Sequence, residues 1–254
     1  MSDVNRDPLL SIVLPTFNER DNILRLLDEI GKAVKVPYEA IVVDDDSPDG
    51  TWRAVEEYAP GHPQTRLLRR IGVRGLTTAL EAGIKLARGK LVMWMDVDLS
   101  MPPVKIPELL QAIERGADVA VGSRYVPGGG DARAVNLHLT LQLMLSKFLS
   151  ILSGWMLGCR FRDWSSGFIV LRRELLEGYA LYGDYGEYFI DLIYYLIKRR
   201  GARVVEVPYV LTPRERGESK TATNIWGFVR RGRKYLHMIW RLRFGNRRSV
   251  GNAN

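Results

Sequence analysis

Between residues 10 and 125 the chain alternates short apolar runs with amphipathic stretches, and this alternation restricts the possible folds more than any other feature. The runs LSIVLPTF, YEAIVVDD, TRLLRR and KLVMWMD are each followed by a stretch of helical periodicity, and DVAVGSRY closes the series. In NERDNILRLLDEIGKAV, for example, Ile23, Leu24, Leu26, Leu27, Ile30 and Val34 recur at helical spacing. Such an alternation predicts an α/β fold, a mostly parallel sheet with helices on both faces. Ligands in these sheets bind outside the carboxyl ends of the strands. The informative residues cluster at those ends: Pro15 to Glu19, Asp44 to Asp46, Asp96 to Asp98, and Gly122 to Arg124.

Beyond a VPGGG loop at 126 to 130, read as a flexible connection, the pattern changes. A long apolar helix over 137 to 158, a turn-rich DWSSGF segment, a helix near 187 to 200, a strand ARVVEVPYV and a final basic helix are expected. The catalytic unit is placed at residues 1 to 222 and a basic amphipathic extension at 223 to 254. One cysteine, Cys159, excludes an internal disulfide and a Cys-rich zinc site. No N-terminal basic segment leads into a long apolar stretch, and no run reaches the roughly 18 uncharged apolar residues of a spanning helix. A protein peripheral to the cytoplasmic side of a membrane is expected.

Three consecutive carboxylates, Asp44, Asp45 and Asp46, end the second apolar run, where they repel one another and lose solvent. They call for hydrogen-bond donors or positive charge. Asp44 or Asp45 could accept from a nucleobase imide or a ribose hydroxyl, while Asp46 to Gly50 could form an Asx-type turn. Asn18 and Asp21 could be an N-cap box. Asp96 and Asp98 are two residues apart, so in extended backbone both carboxylates leave one face. That is half of a site for Mg²⁺ or Mn²⁺, which fills its other positions with water and substrate phosphate. A solvated loop ahead of the Pro102-Pro103 helix start is the competing explanation. Arg124, and Arg214, Arg216 and Lys220 of TPRERGESK, could hold a diphosphate or an anionic acceptor, or form ordinary basic loops.

The segments PTFNE, VDDDSPDG, DVDLS, GSRYVPGG, SSGF and RERGESK occur together and in this order. Over roughly residues 8 to 225 the chain thereby resembles family 2 of the inverting glycosyltransferases, and within it the dolichol-phosphate (polyprenyl-phosphate) mannose synthases. The resemblance implies a glycosyltransferase A (Rossmann-like) fold, a nucleotide-sugar donor that is usually GDP-mannose, and a polyprenyl phosphate acceptor. It places Pro15, Phe17 and Glu19 along the nucleotide and Val42, Asp44 and Asp45 near the base. It makes Asp96, Val97 and Asp98 the D-x-D, with Asp96 and Asp98 as metal ligands. Arg124, Arg214 and Lys220 take phosphate-handling positions. Three positions depart from the pattern. Ser100 stands where the mannose synthases commonly carry Gln, Leu141 or Gln142 where they carry Arg, and Phe17 where they carry Tyr.

A phosphate monoester is largely dianionic at neutral pH and needs no strong base to act as nucleophile. The expected chemistry is single displacement with inversion at the anomeric carbon. The net charge of +8 is uneven: from Lys198 to Arg248 fifteen Lys or Arg face three Glu and no Asp. With Trp226, Phe228, Trp240 and Phe244 among them, these cations suit a helix lying in an anionic membrane interface. A UDP-sugar transferase, a noncatalytic membrane-associated protein and a nucleic-acid binder are the rival readings. Acidic strand ends oppose the last of these, because they would repel a phosphate backbone.

Overall fold

The computed structural model of the protein describes residues 7–133, 137–213 and 225–245. Six parallel strands and one antiparallel strand form the main sheet. The parallel strands are β1 (Leu10–Thr16), β2 (Tyr38–Asp44), β3 (Thr65–Arg69), β4 (Leu91–Trp94), β5 (Val119–Ser123) and β8 (Val204–Pro208). The antiparallel strand, β7 (Ile169–Arg172), lies between β4 and β5, giving the order β3-β2-β1-β4-β7-β5-β8. Residues Gly130–Asp131 (β6) pair in parallel with Val210–Leu211 (β9), so part of the glycine loop expected to be a flexible connection is pinned to the chain's return path.

Alternation in β1 sets the two halves of the core. Leu10, Ile12 and Leu14 pack with Ile23, Leu26, Leu27 and Ile30 of α1 (Arg20–Ala33) and with Ile106, Leu109 and Ile113 of α4 (Ile106–Glu114). Val13 points the other way, toward Ala79 and Leu80 of α3 (Leu76–Leu86), in the cluster that also takes α6 (Tyr188–Lys198). Both sides of the strand are therefore dry, as expected for a parallel sheet covered twice. Helix α2 (Thr51–Tyr58) buries Val55. The two long helices, α5 (Leu137–Leu157) and α7 (Ile225–Phe244), contribute Leu157, Met238 and Ile239 to the α3 side.

At the opposite end of the sheet from the carboxyl strand tips, Glu39 is buried among donors. Its Oε1 accepts from Ser11 Oγ at 2.7 Å and Arg88 N at 2.7 Å, and its Oε2 from Arg66 Nη1 at 2.6 Å. Burial pushes this carboxyl up, and the Arg88, Ser11 and Arg66 contacts more than reverse that, so it titrates below the ordinary glutamate range. A depressed carboxyl stabilises the fold above its unfolded pKa, and that contribution disappears as pH falls through the folded value. Glu39→Gln is expected to lower unfolding free energy by roughly 1–3 kcal/mol near neutral pH. In urea titrations the gap between the two proteins should narrow as pH falls below the ordinary glutamate value of about 4.3 and close once the folded-state carboxyl is protonated.

Candidate active site

Loops after the strand ends enclose a cleft of about 530 Å³. From the N-terminal half it takes Pro15, Phe17, Glu19, Asp45, Arg74, Asp96, Val97, Asp98, Ser100 and Arg124. Arg133, Ser165, Asp184, Gly186, Tyr209 and Tyr235 close the other side. Eight residues predicted from sequence thus meet in one place: Pro15, Phe17, Glu19, Asp45, Asp96, Val97, Asp98 and Arg124. Val42 and Asp44 are fully buried behind the cleft and do not line it. Arg214, Arg216 and Lys220 lie outside the described residues, as do the side chains of Leu141, Gln142, Trp226 and Phe228.

The three adjacent carboxylates find their donors inside the chain. Asp44 accepts from Thr16 Oγ1 at 2.9 Å, Ser47 Oγ at 2.6 Å and Ser47 N at 2.8 Å, which makes it the pin between the ends of β1 and β2. Asp45 is held by Arg70 Nε at 2.7 Å and by Gly75 N at 2.8 Å. Asp46 pairs with Arg69, whose guanidinium lies 3.5 Å over the Trp52 ring. Of the turn expected over Asp46 to Gly50, Asp49 supplies the side-chain acceptor, taking Thr51 N at 2.9 Å and Arg20 N at 3.1 Å, while Asp44 and not Asp46 takes Ser47 N. Glu19, the residue preceding α1, accepts from Asn22 Nδ2 at 2.8 Å.

Strand β4 ends at Trp94, so Asp96 and Asp98 sit in the bend that follows it rather than on an extended strand face. Leu99 completes that bend at φ 62°, a left-handed conformation costly for a leucine. The bend separates the two environments: Asp96 is exposed, whereas Asp98 is buried and accepts from Ser100 N at 3.0 Å. Ser100 O in turn accepts from Thr212 N at 3.0 Å, tying the bend to the residue after β9. No third His, Cys, Asp or Glu joins these two in a metal-holding group among the described residues. Two carboxylate donors with the remaining positions left to water and substrate oxygens suit Mg²⁺ or Mn²⁺ and not a cage-bound ion.

Arg124 is not a loose cation. Asp163, fully buried, accepts from Arg124 Nε at 2.8 Å, Nη2 at 2.6 Å and its backbone N at 2.9 Å. Burial lowers the guanidinium pKa, and Asp163 more than offsets this, so the side chain stays charged. Arg124 Nη2 also donates to Ser165 Oγ at 2.7 Å, which lies 3.0 Å from Ser146 Oγ on α5. Arg133, a cleft residue absent from the sequence reading, is gripped by Asp131 at 2.7 Å and 2.9 Å. Gly129 makes the loop's approach possible, since a Cβ there would strike the backbone of Ser123 and Arg124. Asp163 lies in DWSSGF, a segment legible as a turn, but nothing local signals its partner.

The remaining wall belongs to the segment before α6 and to α7. Lys234 on α7 donates to Asp184 at 2.6 Å, and the Tyr235 hydroxyl packs on Gly186 so closely that a Cβ there would displace it. Glu187 is buried next to Asp184. Burial and that neighbour push its carboxyl up, while Lys234 draws Asp184 down.

The profile described as Glycosyl transferase family 2 matches residues 11–179. The chain belongs to glycosyltransferase family 2. Among the relatives of this transferase is the dolichol-phosphate mannosyltransferase of Pyrococcus furiosus, 40% identical over 215 residues. That match covers 83% of this chain and 58% of the archaeal protein. The polyprenol monophosphomannose synthase of Mycolicibacterium smegmatis is 38% identical over 82% of this chain and 79% of its own. The undecaprenyl-phosphate mannosyltransferase of Micrococcus luteus is 36% identical, with 85% and 88% covered. In structure the transferase is similar to glucosyl-3-phosphoglycerate synthase from Mycobacterium tuberculosis, solved with Mn²⁺, UDP and glucosyl-3-phosphoglycerate. The TM-score is 0.69 at 21% identity, over 95% of this chain and 82% of that one, and this likeness establishes the glycosyltransferase A-type fold.

Removing one partner of a buried ion pair leaves the other charge uncompensated. Asp163→Ala is therefore expected to cost roughly 3–5 kcal/mol of unfolding free energy, read from denaturant midpoints.

Proposed function

We propose that the protein transfers mannose from GDP-mannose to the phosphate of a polyprenyl (dolichyl) monophosphate at a membrane surface, with inversion at the anomeric carbon. The catalytic unit is assigned to residues 1 to 222 and the membrane-facing extension to 223 to 254. The observation that carries the reading is the convergence of Asp96, Asp98, Phe17, Glu19 and Asp45 on one cleft at the carboxyl ends of the strands. The names of the three relatives point to the acceptor class and the sugar.

The acceptor's second pKa of about 6 leaves it dianionic at neutral pH. Its oxygen forms the new bond to the anomeric carbon as the bond to the departing diphosphate breaks, and no proton has to be removed first. The chain's task is to hold two anions side by side. Arg133 and Arg124 bring guanidinium groups to the cleft, with Arg214 and Lys220 assigned to the same work by their motif positions. Asp131 and Asp163 fix the orientation of the first two. Asp96 and Asp98 would hold Mg²⁺ or Mn²⁺, and that ion when bound supplies Lewis-acid charge to the leaving diphosphate.

A lipid-linked acceptor requires contact with the bilayer. On α5, Phe148, Ile151 and Trp155 are exposed at helical spacing, Trp155 at 79%. On α7, Leu236, Trp240 and Phe244 form a similar row, beside the exposed Arg233 and Arg243. Exposed aromatics flanked by arginines fit the plane of an anionic interface. No helix among the described residues is long and apolar enough to cross a membrane, so a peripheral seat is the arrangement these rows support.

The test is a transfer assay with polyprenyl phosphate, Mn²⁺ and a panel of labelled GDP and UDP sugars. GDP-mannose should be the preferred donor; preference for a UDP sugar would replace the donor assignment. Asp98→Ala and Asp98→Asn should each lower transfer by about two orders of magnitude or more while circular dichroism and melting stay close to wild type. Undiminished metal-dependent activity in both would remove the D-x-D role. In a flotation assay the Trp155→Glu, Trp240→Glu double variant should lose binding to anionic vesicles that the wild type retains.

A further inference from the structure

The loop between β3 and α3 is anchored more firmly than a surface turn requires. Asp45 Oδ1 takes Arg70 Nε at 2.7 Å and Nη2 at 2.5 Å, Oδ2 takes Gly75 N at 2.8 Å, and Arg70 Nη2 also donates to Gly75 O at 3.1 Å. One buried carboxylate thus fixes residues 70 and 75, the two ends of a short turn, at a single point. The side chain this turn projects into the cleft is Arg74, whose guanidinium carbon lies 3.6 Å from the centroid of the Phe17 ring.

Arg74 differs from the other two described arginines of the cleft. Arg124 is saturated by Asp163, and Arg133 by Asp131. Among the described residues Arg74 makes no ion pair, and its guanidinium rests on Phe17. A single exposed cation–π contact is worth about 0.5–1 kcal/mol, less than the roughly 2 kcal/mol of rotamer entropy that an arginine gives up when held still. The stack on Phe17 alone therefore gives no net reason to build the turn this way. A guanidinium is planar and weakly hydrated, and stacks on flat rings through either face. With one face on Phe17, the opposite face is left for a second flat group.

We propose that Arg74 is a donor-contacting residue that stacks on the nucleobase of the sugar nucleotide, completing a layered arrangement of Phe17, guanidinium and base. This rests on the sugar-nucleotide reading of the cleft and assigns its nucleoside end. The residues that read the base in this picture are not the acidic triplet itself but the turn that Asp45 anchors.

The experiment is calorimetric binding to the full chain with Mn²⁺, using GDP, UDP and inorganic pyrophosphate as probes. For whichever nucleotide binds the wild type, Arg74→Ala should weaken affinity about tenfold, in the range expected for loss of one base-stacking contact. Pyrophosphate affinity should be unchanged. Arg74→Lys, which keeps the charge and loses the plane, should behave as Arg74→Ala does. Equal weakening of nucleotide and pyrophosphate, or rescue by lysine, would make Arg74 a phosphate-binding charge and overturn the stacking role. Wild-type affinity in Arg74→Ala would overturn the contact altogether while leaving the donor reading intact. A wild type that binds no nucleotide would instead bring down the donor reading and this inference with it.

Discussion

The cleft depends on one strand running against the rest. Strand β7 is antiparallel, so its beginning, not its end, lies at the carboxyl tips of β4 and β5, with Ile169 opposite both Trp94 and Val121. Ser166 Oγ donates to Gly122 O, and Gly122 N to Phe168 O at 2.8 Å, which locks that reversal in register. The turn ahead of β7 is thereby delivered between the D-x-D bend and Arg124. Were β7 parallel, Asp163 would sit at the far end of the sheet and Arg124 would be a buried charge with no counterion, a state costing several kcal/mol.

This explains which parts of the site were legible from sequence. The four βα units follow from hydrophobic period alone, because each strand is buried by its immediate neighbours in the chain. Strand β7 was not predicted. Its run FIVL is short, follows a turn, and owes its strand state to β4 and β5, which lie far away in sequence. The D-x-D and Phe17 were legible because they follow the ends of β4 and β1 within a few residues. The counterions were not: Arg124 and Asp163 are 39 positions apart, and Arg70 and Asp45 are 25 apart. A carboxylate's burial and partner are properties of topology, and so the triplet at 44 to 46 could be recognised as demanding donors without revealing that the chain itself supplies them.

The charge pattern of the cleft carries a second consequence. Glu19, Asp45, Asp96, Asp98 and Asp184 line it together with Arg74, Arg124 and Arg133. Arg124 and Arg133 are already matched by Asp163 and Asp131, and Asp45 and Asp184 by Arg70 and Lys234. The β4 bend brings Asp96 and Asp98 to the cleft, and Arg74 reaches it against Phe17. Under the proposed reading, an anionic diphosphate would need a divalent cation to sit against those two carboxylates and would be attracted by Arg74.

Helix α7 links this chemistry to the surface proposed to meet the membrane. Met238 and Ile239 anchor it in the core beside α6, Arg241 pairs with Asp191 at 2.6 Å and lies 3.5 Å over the Tyr182 ring, and Lys234 and Tyr235 grip the 184–186 wall of the cleft. Leu236, Trp240 and Phe244 are exposed on the same helix. A helix fixed at that many points along one side cannot tilt into an interface without moving the wall it holds. The depth at which those aromatics settle would therefore set the position of Asp184 and Gly186 relative to the acceptor. In such an arrangement a lipid-anchored phosphate arrives at the cleft from the side where the protein is already seated, so the bilayer, and not a separate loop, fixes the direction of approach.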